Sequence, residues 1–497
     1  MKRAAQFYLL AGALLFTKTL CAAVRLAGVF GDHMVLQRGL PVPVWGTAAP
    51  GEKVSVAFAD KRVETAAELD GTWSVDLPPL AASKEGGTLM ANGVAVTDVL
   101  VGEVWFLSGQ SNMALPLTGP NTRFRDCAGG TLAQITHRPA VRYVQGPTHA
   151  CELPRTEPIQ PVEWRPFTPE HLLKAPPSAV GFYFGCALEE ALDVPVGLVC
   201  VATGGTNIDA WTPHEGSSSR PALKDMAEWK YVPVSDWTKE GAYKLPIDSH
   251  AQQPGVLWNG TVHPFAPLAM RGLLWYQGER NASAGPAETV RYRSKLHALY
   301  NGWAGAFANP AMKLNVVQLC SWGKDIAVFQ EEQARFVEEN QNAGLVIIND
   351  LGNLNDIHPN RKALVGLRLA LLALKRDYGF GHLRAESPKP TGLRSAGDVL
   401  SFHVFHAEKL YYYSPDKSVC TGFEIAGDDG VFFPAKIINA ENNPAKLNFG
   451  EIRGTEICLR AKEVSAPVKV RYLHSRPWYG CVHNEADLPM GAFHLGY

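Results

Sequence analysis

A serine follows a short apolar segment and a glycine turn near residue 110. The segment Val104–Leu107 is apolar and rich in residues that favour strands, and Ser108-Gly109-Gln110-Ser111 follows it directly. A strand that turns into a helix places Ser111 at the edge of a sheet, where free N–H groups of the helix start can stabilise negative charge. Ser111 is therefore a candidate nucleophile. The alternative is that its side chain only caps the helix.

An aspartate and a histidine stand two positions apart in Asp356-Ile357-His358-Pro359, shortly after the apolar segment Leu345–Ile348. In a tight loop the Asp356 carboxylate can turn back to the imidazole, fix its tautomer and stabilise its protonated form. His358 is then a candidate general base. The alternative is an aspartate that caps the next helix beside an unrelated surface histidine.

Two further turns carry groups that could stabilise an oxyanion. The stretches 202–207 and 275–281 each follow an apolar segment and contain Gly205 and Gln277, respectively. Glycine lets backbone N–H groups approach a developing negative charge, and the Gln277 amide could donate a hydrogen bond. The alternative is that these glycines only make turns.

These side chains need a sheet whose strand ends meet at one edge, and the sequence predicts one. Helical patterns alternate with five apolar, strand-like segments, namely Val104–Leu107, Val196–Val201, Gly272–Tyr276, Leu314–Leu319 and Leu345–Ile348. This alternation predicts a doubly wound parallel sheet, with a ligand crevice beyond the C-terminal ends of its strands.

Local signals predict where the helices begin and end. Ser178 can cap a helix that runs to about Leu192, and Pro286 opens another. A third covers Ile326 to Asn340, and a fourth has Pro359 in its first turn and Gly379 as its stop.

The pattern divides the chain into several regions. Short alternating runs separated by turn residues over 24–101 predict an N-terminal β-sandwich, and 102–385 holds the α/β pattern. Residues 209–262 show no clear period and are interpreted as an excursion over the site. Short β runs return over 386–497 and predict a C-terminal β-domain.

Composition and the N-terminus limit the class of protein. The 497 residues carry 47 Lys plus Arg against 48 Asp plus Glu, so no basic surface for nucleic acid is indicated.

Lys2 and Arg3 precede the apolar run Phe7–Phe16, and Cys21-Ala22-Ala23 offers small residues for cleavage. We expect a signal peptide over 1–23 and an exported mature chain without a membrane span. Lipid attachment at Cys21 ranks lower.

The four candidate motifs together resemble the sialate O-acetylesterase family of SGNH-type hydrolases. The motifs are Gly109-Gln110-Ser111-Asn112-Met113, Gly204-Gly205-Thr206, Trp275-Tyr276-Gln277-Gly278-Glu279 and Asp356-Ile357-His358-Pro359. The resemblance extends to the N-terminal stretches 31–38 and 43–46 and is looser after about residue 390. It implies the fold class α/β, with a doubly wound (flavodoxin-like) parallel-sheet SGNH hydrolase domain flanked by β-sandwich domains.

The resemblance also implies roles for the candidate residues. Ser111 would be the nucleophile, His358 the general base and then acid, and Asp356 the residue that orients His358. The oxyanion hole would lie near the Ser111 N–H, Gly205 and Gln277, although many SGNH hydrolases have Asn where Gln277 stands. Asp350 is the less favoured orienting carboxylate. The implied substrate is an O-acetylated sugar or glycan, and no metal or organic cofactor is implied.

Other functions fit parts of the same pattern. The chain could be a deacetylase for xylan or another polysaccharide, or a glycan-binding protein that has lost catalysis; a lipase-like enzyme is a more distant alternative. A tryptophan-rich excursion could form a wall for sugar stacking, with Trp211, Trp229, Trp237 and Trp258 as its members.

Overall fold

The computed structural model describes residues 23–118, 129–230, 252–322, 326–352, 355–413, 422–442, 449–474 and 482–496. The signal peptide expected over 1–23 lies outside these residues except for its last position, and Trp237 also lies outside them. In the described residues, no helix has the length and apolar character needed to cross a membrane.

Short strands form the N-terminal part, as the short alternating runs predict, and they pair antiparallel except for β2, which pairs parallel with β8. Its strands are β1 (Arg25–Leu26), β2 (Val35–Gln37), β3 (Val42–Thr47), β4 (Lys53–Phe58), β5 (Lys61–Ala66), β6 (Thr72–Leu77), β7 (Ser83–Ala91) and β8 (Val94–Gly109). Strands β1, β3 and β6 form one antiparallel sheet, and β5, β4, β7 and β8 pair antiparallel in that order. Strand β8 is 16 residues long, so the boundary expected at residues 101 and 102 falls inside one continuous strand.

The second half of β8 is also a central strand of a large, mainly parallel sheet. The other strands of this sheet are β9 (Arg138–Gln145), β10 (Arg165–Phe167), β11 (Val196–Ala202), β12 (Gly272–Tyr276), β13 (Lys313–Val317) and β14 (Ala343–Val346). The order is β10-β9-β11-β8-β12-β13-β14, and all neighbours except β10 and β9 run parallel. Each of the five segments predicted as strands overlaps a strand of this sheet, but β13 ends at Val317 and β14 at Val346, before the predicted ends at Leu319 and Ile348. Strands β9 and β10 were not predicted.

Ten α-helices accompany the sheets in the described residues. They are α1 (Ser111–Ala114), α2 (Gly129–Ile135), α3 (Pro169–Lys174), α4 (Ala179–Leu192), α5 (His214–Ser218), α6 (Lys224–Ala227), α7 (Glu279–Ser283), α8 (Pro286–Ala306), α9 (Ala327–Glu339) and α10 (Lys362–Asp377). Helix α4 packs against α10, and α8 packs against α9. The cap predicted at Ser178 is confirmed, because its side chain accepts a hydrogen bond from the Gly181 N–H at 3.2 Å.

The predicted start of the last helix is wrong by about one turn. Helix α10 begins at Lys362, so Pro359 lies in the loop before it and not in its first turn. The loop is therefore longer than expected, and it ends with a buried lysine side chain at the first helical position. Gly379 follows the helix closely with φ +81°, a left-handed conformation that favours glycine.

The C-terminal part consists of β-strands, as the sequence predicts. They are β15 (Lys389–Ala396), β16 (Val399–Phe405), β17 (Leu410–Tyr413), β18 (Phe423–Ala426), β19 (Phe433–Pro434), β20 (Lys436–Ile437), β21 (Ala440–Asn442), β22 (Phe449–Ile452), β23 (Glu456–Arg460), β24 (Lys469–Tyr472), β25 (Val482–Asn484) and β26 (Phe493–Leu495). They form three four-stranded antiparallel sheets. Their buried residues make a separate apolar core.

A close approach of two strand ends constrains the sheet where β8 stops. Gly109 has φ +135°, and a Cβ atom built on it would lie 2.1 Å from the Tyr276 carbonyl oxygen at the end of β12. The next residue, Gln110, donates its N–H to the same carbonyl at 3.1 Å. Only glycine therefore fits at the point where β8 passes into α1.

We predict that Gly109→Ala lowers the free energy of unfolding by at least about 3 kcal/mol, because the added methyl group must displace backbone. Gly305→Ala is the control, since a Cβ built there in α8 meets open space. That change should be neutral or stabilise the protein by up to about 1 kcal/mol. Urea denaturation of both variants measures the difference, and equal stabilities would contradict the proposed constraint.

Candidate active site

Ser111 lies at the C-terminal edge of the parallel sheet, as the first residue of α1. The helix begins directly after the Gly109-Gln110 turn. The N–H groups in the first turn of a helix have no acceptor within the helix, so the Ser111 N–H is available as a donor at this edge. The sequence predicts this strand–turn–helix position, and the structure has it.

His358 approaches Ser111 from a loop far along the chain. The His358 Nε2 atom lies 2.9 Å from Ser111 Oγ, which is hydrogen-bond distance. Asp356 Oδ1 accepts the His358 backbone N–H at 2.9 Å and lies 3.4 Å from His358 Nδ1. The carboxylate is therefore turned back toward the imidazole. The His358 and Asp356 side chains are 27% and 21% exposed, so solvent and ligand can reach the group.

Asp350, the less favoured orienting carboxylate, is engaged elsewhere. Its two oxygens accept hydrogen bonds from the Arg368 guanidinium at 2.7 Å each, in a bidentate pair. Arg368 also donates to the Ile347 carbonyl and therefore binds α10 to the end of the sheet. Asp350 is part of this structural pair.

The glycine turn after β11 adjoins the serine. A Cβ built on Gly204 would lie 3.4 Å from Ser111 Cβ, and Gly205 has φ +72°. The turn is held from outside by Gln252, whose side chain donates to the Gly205 carbonyl at 3.0 Å and accepts the Asn207 N–H at 2.8 Å. The turn predicted to stabilise the oxyanion therefore lies beside Ser111. Its backbone is held by hydrogen bonds to Gln252, which was not predicted from the sequence.

Gln277 lies behind the site, fully buried, with its side chain bound to the protein. Its Nε2 atom donates toward Thr206 O at 2.9 Å, Asn281 Oδ1 at 3.0 Å and Gln110 Oε1 at 3.2 Å. Its Oε1 atom accepts from the Tyr292 hydroxyl at 2.8 Å. An amide nitrogen has only two hydrogens, so donation to an oxyanion would require Gln277 to give up one of these contacts.

A buried ion-pair cluster is connected to Gln277 through hydrogen bonds. Lys295 Nζ lies 2.8 Å from Asp209 Oδ1 and also contacts Glu288. Burial raises the pKa of Asp209, while Lys295 opposes that shift. Asn281 joins this cluster to Gln277, since it donates to Glu288 at 3.2 Å and accepts from Gln277.

Three buried polar residues next to the site were not predicted. Asn112 Nδ2 donates to Glu279 Oε1 at 2.5 Å, and Lys362 Nζ donates to Asn112 Oδ1. Burial raises the pKa of Glu279 to about 7, although the hydrogen bond from Asn112 and the charge of Lys362 lower it. Asn112 and Glu279 belong to the two motifs that contain Ser111 and Gln277, but only the fold shows their contact.

The tryptophan wall expected over 209–262 is wrong for Trp211 and Trp258, which are buried in the core. Trp229 is 45% exposed. Trp229 and Trp258 line a cavity of about 800 Å³ whose lining residues include neither Ser111 nor His358. A hydrophobic tryptophan-rich segment can equally well fill a core as face solvent, and here two members fill the core.

Within the described residues, one group of side chains has the composition of a metal site. His474 Nε2 and His494 Nδ1 lie 2.7 and 2.8 Å from Glu331 Oε1. Arg335 Nη2 lies 3.4 Å from His494 Nε2. Because arginine only donates, His494 accepts there and uses its Nδ1–H for Glu331, whereas a metal-bound Nδ1 needs an acceptor for its Nε2–H. The geometry fits a hydrogen-bonded cluster that joins α9 to the C-terminal sheets.

The raised pKa of Glu279 predicts a pH-dependent stability. A carboxyl group that titrates near 7 when folded and near 4.5 when unfolded stabilises the fold below pH 4.5, and this contribution is lost as the pH rises through 7. From pH 5 to pH 8 the wild type should therefore lose up to roughly 3 kcal/mol relative to Glu279→Gln. Urea denaturation at both pH values measures this, with the exposed Glu451→Gln as control. Parallel pH dependence in wild type and E279Q would contradict the prediction.

Comparison with known proteins gives the family to which this chain belongs. The family described as carbohydrate esterase, sialic acid-specific acetylesterase matches residues 101–375. Human sialate O-acetylesterase is 27% identical, with 94% of this chain and 92% of that protein covered, and the Pongo abelii protein is 26% identical over the same shares.

A solved structure is also similar over nearly the whole chain. The carbohydrate acetylesterase from Xanthomonas citri is 28% identical with a TM-score of 0.78, and the match covers 95% of this chain and 99% of that one. The family match spans more than half of the chain and contains Ser111, Gln277 and His358. This chain therefore belongs to the carbohydrate esterase family of sialic acid-specific acetylesterases.

Proposed function

We propose that this protein is an exported carbohydrate O-acetylesterase that removes acetyl groups from sugars through a serine acyl-enzyme, with O-acetylated sialic acid as its substrate. The observation that carries the proposal is the 2.9 Å contact between Ser111 Oγ and His358 Nε2. Membership of the esterase family and the similarity to sialate O-acetylesterases support it. Export rests on the N-terminal pattern of 1–23.

The reaction uses the serine and the imidazole in two half-reactions. His358 Nε2 takes the proton of Ser111 Oγ while the oxygen attacks the acetyl carbonyl carbon. The tetrahedral intermediate collapses, and the sugar oxygen leaves with the proton from His358. Water then gives a proton to His358, attacks the acetyl-enzyme and releases acetate, and Ser111 regains its proton.

The oxyanion is stabilised at the rim between α1 and the glycine turn. The free N–H of Ser111 and the turn at Gly205 supply the donors beside the reacting carbon. Gln277, in its present contacts, fixes Gln110 and Thr206, the neighbours of these two residues. Asp356 keeps the imidazole in the orientation that directs Nε2 to the serine.

The domain organisation is part of the same proposal. With β9 and β10 set aside, the order β11-β8-β12-β13-β14 is the 2-1-3-4-5 order of flavodoxin-like sheets, in which β11 is added on one side of β8 and β12 on the other. Ser111 follows β8 and Gln277 follows β12, at this switch point. This supports a doubly wound SGNH-type domain over 102–385, an N-terminal β-sandwich over 24–101 and a C-terminal β-domain over 386–497.

Removal of the nucleophile is the direct test. Ser111→Ala should lower kcat on an acetyl ester by roughly 10⁴- to 10⁶-fold with unchanged thermal unfolding, because no other group can form the acyl-enzyme. Near-wild-type turnover in this variant would refute the serine mechanism. An organophosphonate should label Ser111 in the wild type and leave S111A unmodified.

Two aspartates allow a matched test of the orienting residue. Asp356→Asn should lower kcat by roughly 10²- to 10⁴-fold, because the amide no longer stabilises the imidazolium. Asp350→Asn should keep kcat within about threefold and lower the melting temperature instead, since it breaks the pair with Arg368. If Asp350→Asn lost activity and Asp356→Asn did not, the assignment of the two carboxylates would be reversed.

A substrate screen identifies the sugar. Acetate release is measured from O-acetylated sialic acid and from acetyl-xylan at equal ester concentration, and a higher kcat/KM is expected for the sialic acid ester. Faster release from acetyl-xylan would make this protein a polysaccharide deacetylase. Binding of a glycan without release of acetate would support the non-catalytic alternative.

A further inference from the structure

Asn112 connects the two parts of the candidate site. It follows Ser111 in α1, and its Nδ2 atom donates to the Ile357 carbonyl at 3.1 Å. Ile357 lies between Asp356 and His358, so this bond reaches the centre of the loop that carries the base. One side chain therefore links the helix of the nucleophile to the histidine loop.

The orientation of the Asn112 amide is fixed by its partners. The Ile357 carbonyl can only accept and the Lys362 ammonium can only donate, so Nδ2 faces Ile357 and Oδ1 faces Lys362. The second Nδ2 hydrogen goes to Glu279 Oε1 at 2.5 Å. The amide is 1% exposed, and its three bonds go to α7, to α10 and to the loop of His358.

The charges around Asn112 are buried on both sides. Lys362 is fully buried, and its Nζ atom lies 5.0 Å from the centre of the Tyr276 ring. Glu279 is 2% exposed, and its Oε2 atom has no hydrogen-bond partner among the residues that the structure describes. The titratable groups that face Glu279 are Lys362, Tyr276, Tyr292 and Cys320. Of these, Lys362 supplies the positive charge that can offset an ionised Glu279.

A buried lysine and a buried glutamate that meet through an amide are expensive to desolvate, and a core of apolar residues would stabilise the fold at least as well. Such a network does give a fixed geometry, because every partner must be in place for the others to be satisfied. The geometry that Asn112 fixes is the separation between α1 and the Asp356–His358 loop. A shift of about 1 Å between reacting groups can cost roughly 10² in rate.

We propose that Asn112 is a positioning residue for ester hydrolysis, held by the ionised Glu279 and by Lys362, which keeps Ser111 Oγ and His358 Nε2 at reacting distance. This inference rests on the proposed function, since it assigns a role in the same serine mechanism. Asn112 and its two charged partners act on the relative placement of the two catalytic side chains, and substrate binding is left largely unchanged.

The first test removes the link and separates kcat from KM. Asn112→Ala should lower kcat on 4-nitrophenyl acetate by roughly 10²-fold while KM stays within about threefold. It should slow phosphorylation of Ser111 by diethyl 4-nitrophenyl phosphate by a similar factor, because Oγ must lose its proton to His358 as 4-nitrophenolate leaves. Unchanged kcat and labelling in a folded N112A would overturn the proposal.

Asn484→Ala is the matched control. Asn484 is also a buried asparagine with its amide bonded to backbone, to Glu386 O and His406 O, but it lies in the C-terminal β-part. This variant should lose stability and keep kcat. An equal loss of kcat in both variants would mean that Asn112 has only a general structural role.

The second test keeps the shape of the network and removes one charge. Glu279→Gln retains an oxygen that accepts from Asn112, so it should fold even if N112A does not. E279Q should have a kcat roughly fivefold to tenfold lower than the wild type at pH 9, because a charged acceptor binds more strongly than a neutral one. Protonation of Glu279 removes the same charge from the wild type, so the ratio of kcat/KM between wild type and E279Q should fall toward 1 as the pH falls from 9 to 5.

Glu332→Gln is the control for this arm, since Glu332 is another buried carboxyl group whose pKa is raised by burial, on helix α9. Its pH profile should match the wild type. Identical profiles for E279Q and wild type would overturn the role of the Glu279 charge.

Different results would contradict the esterase function and the positioning role of Asn112. If the wild type neither releases acetate nor is labelled at Ser111, the proposed function fails. If the wild type is active and labelled, and N112A and E279Q behave like it, only the positioning role fails.

Discussion

The contact between Ser111 and His358 requires two distant parts of the chain to meet at one edge of the sheet. The two residues are 247 positions apart, and their side chains meet only because both follow parallel strands of one sheet. The ends of β8, β11, β12 and β14 lie along the same edge, and each contributes a turn or loop to the site. Gly109 allows the end of β8 to lie directly against the end of β12. This close approach lets Ser111 face the loop that carries His358.

Next to this contact the protein buries several polar and charged side chains. Gln277 and Asn281 tie the turns together, and Asn112, Glu279 and Lys362 hold the helix and the loop. Buried polar groups cost free energy unless each one has a partner, and Glu279 has an unpartnered oxygen and a raised pKa. These buried polar groups lower the free energy of unfolding, and in return they fix the geometry of the site.

The flanking β-parts are joined to the central sheet by continuous structure. Strand β8 begins in the N-terminal sheets and ends at the turn before Ser111, so one strand belongs to both parts. At the opposite side, Glu331 on α9 accepts hydrogen bonds from His474 and His494 of the C-terminal part. Burial alone would raise the pKa of Glu331, but these two histidines hold it below its usual value.

Local periodicity, turn residues and short motifs were enough to predict the five main strands, the cap at Ser178, and Ser111, Asp356 and His358 as candidates. They misplaced the start of α10 by a turn, since Pro359 fits a loop as well as a first helical turn. The internal hydrogen bonds of the Gln277 amide are visible only in the folded protein. The same holds for the contacts of Asn112 with distant chain segments, because burial and pairing depend on which elements the fold brings together.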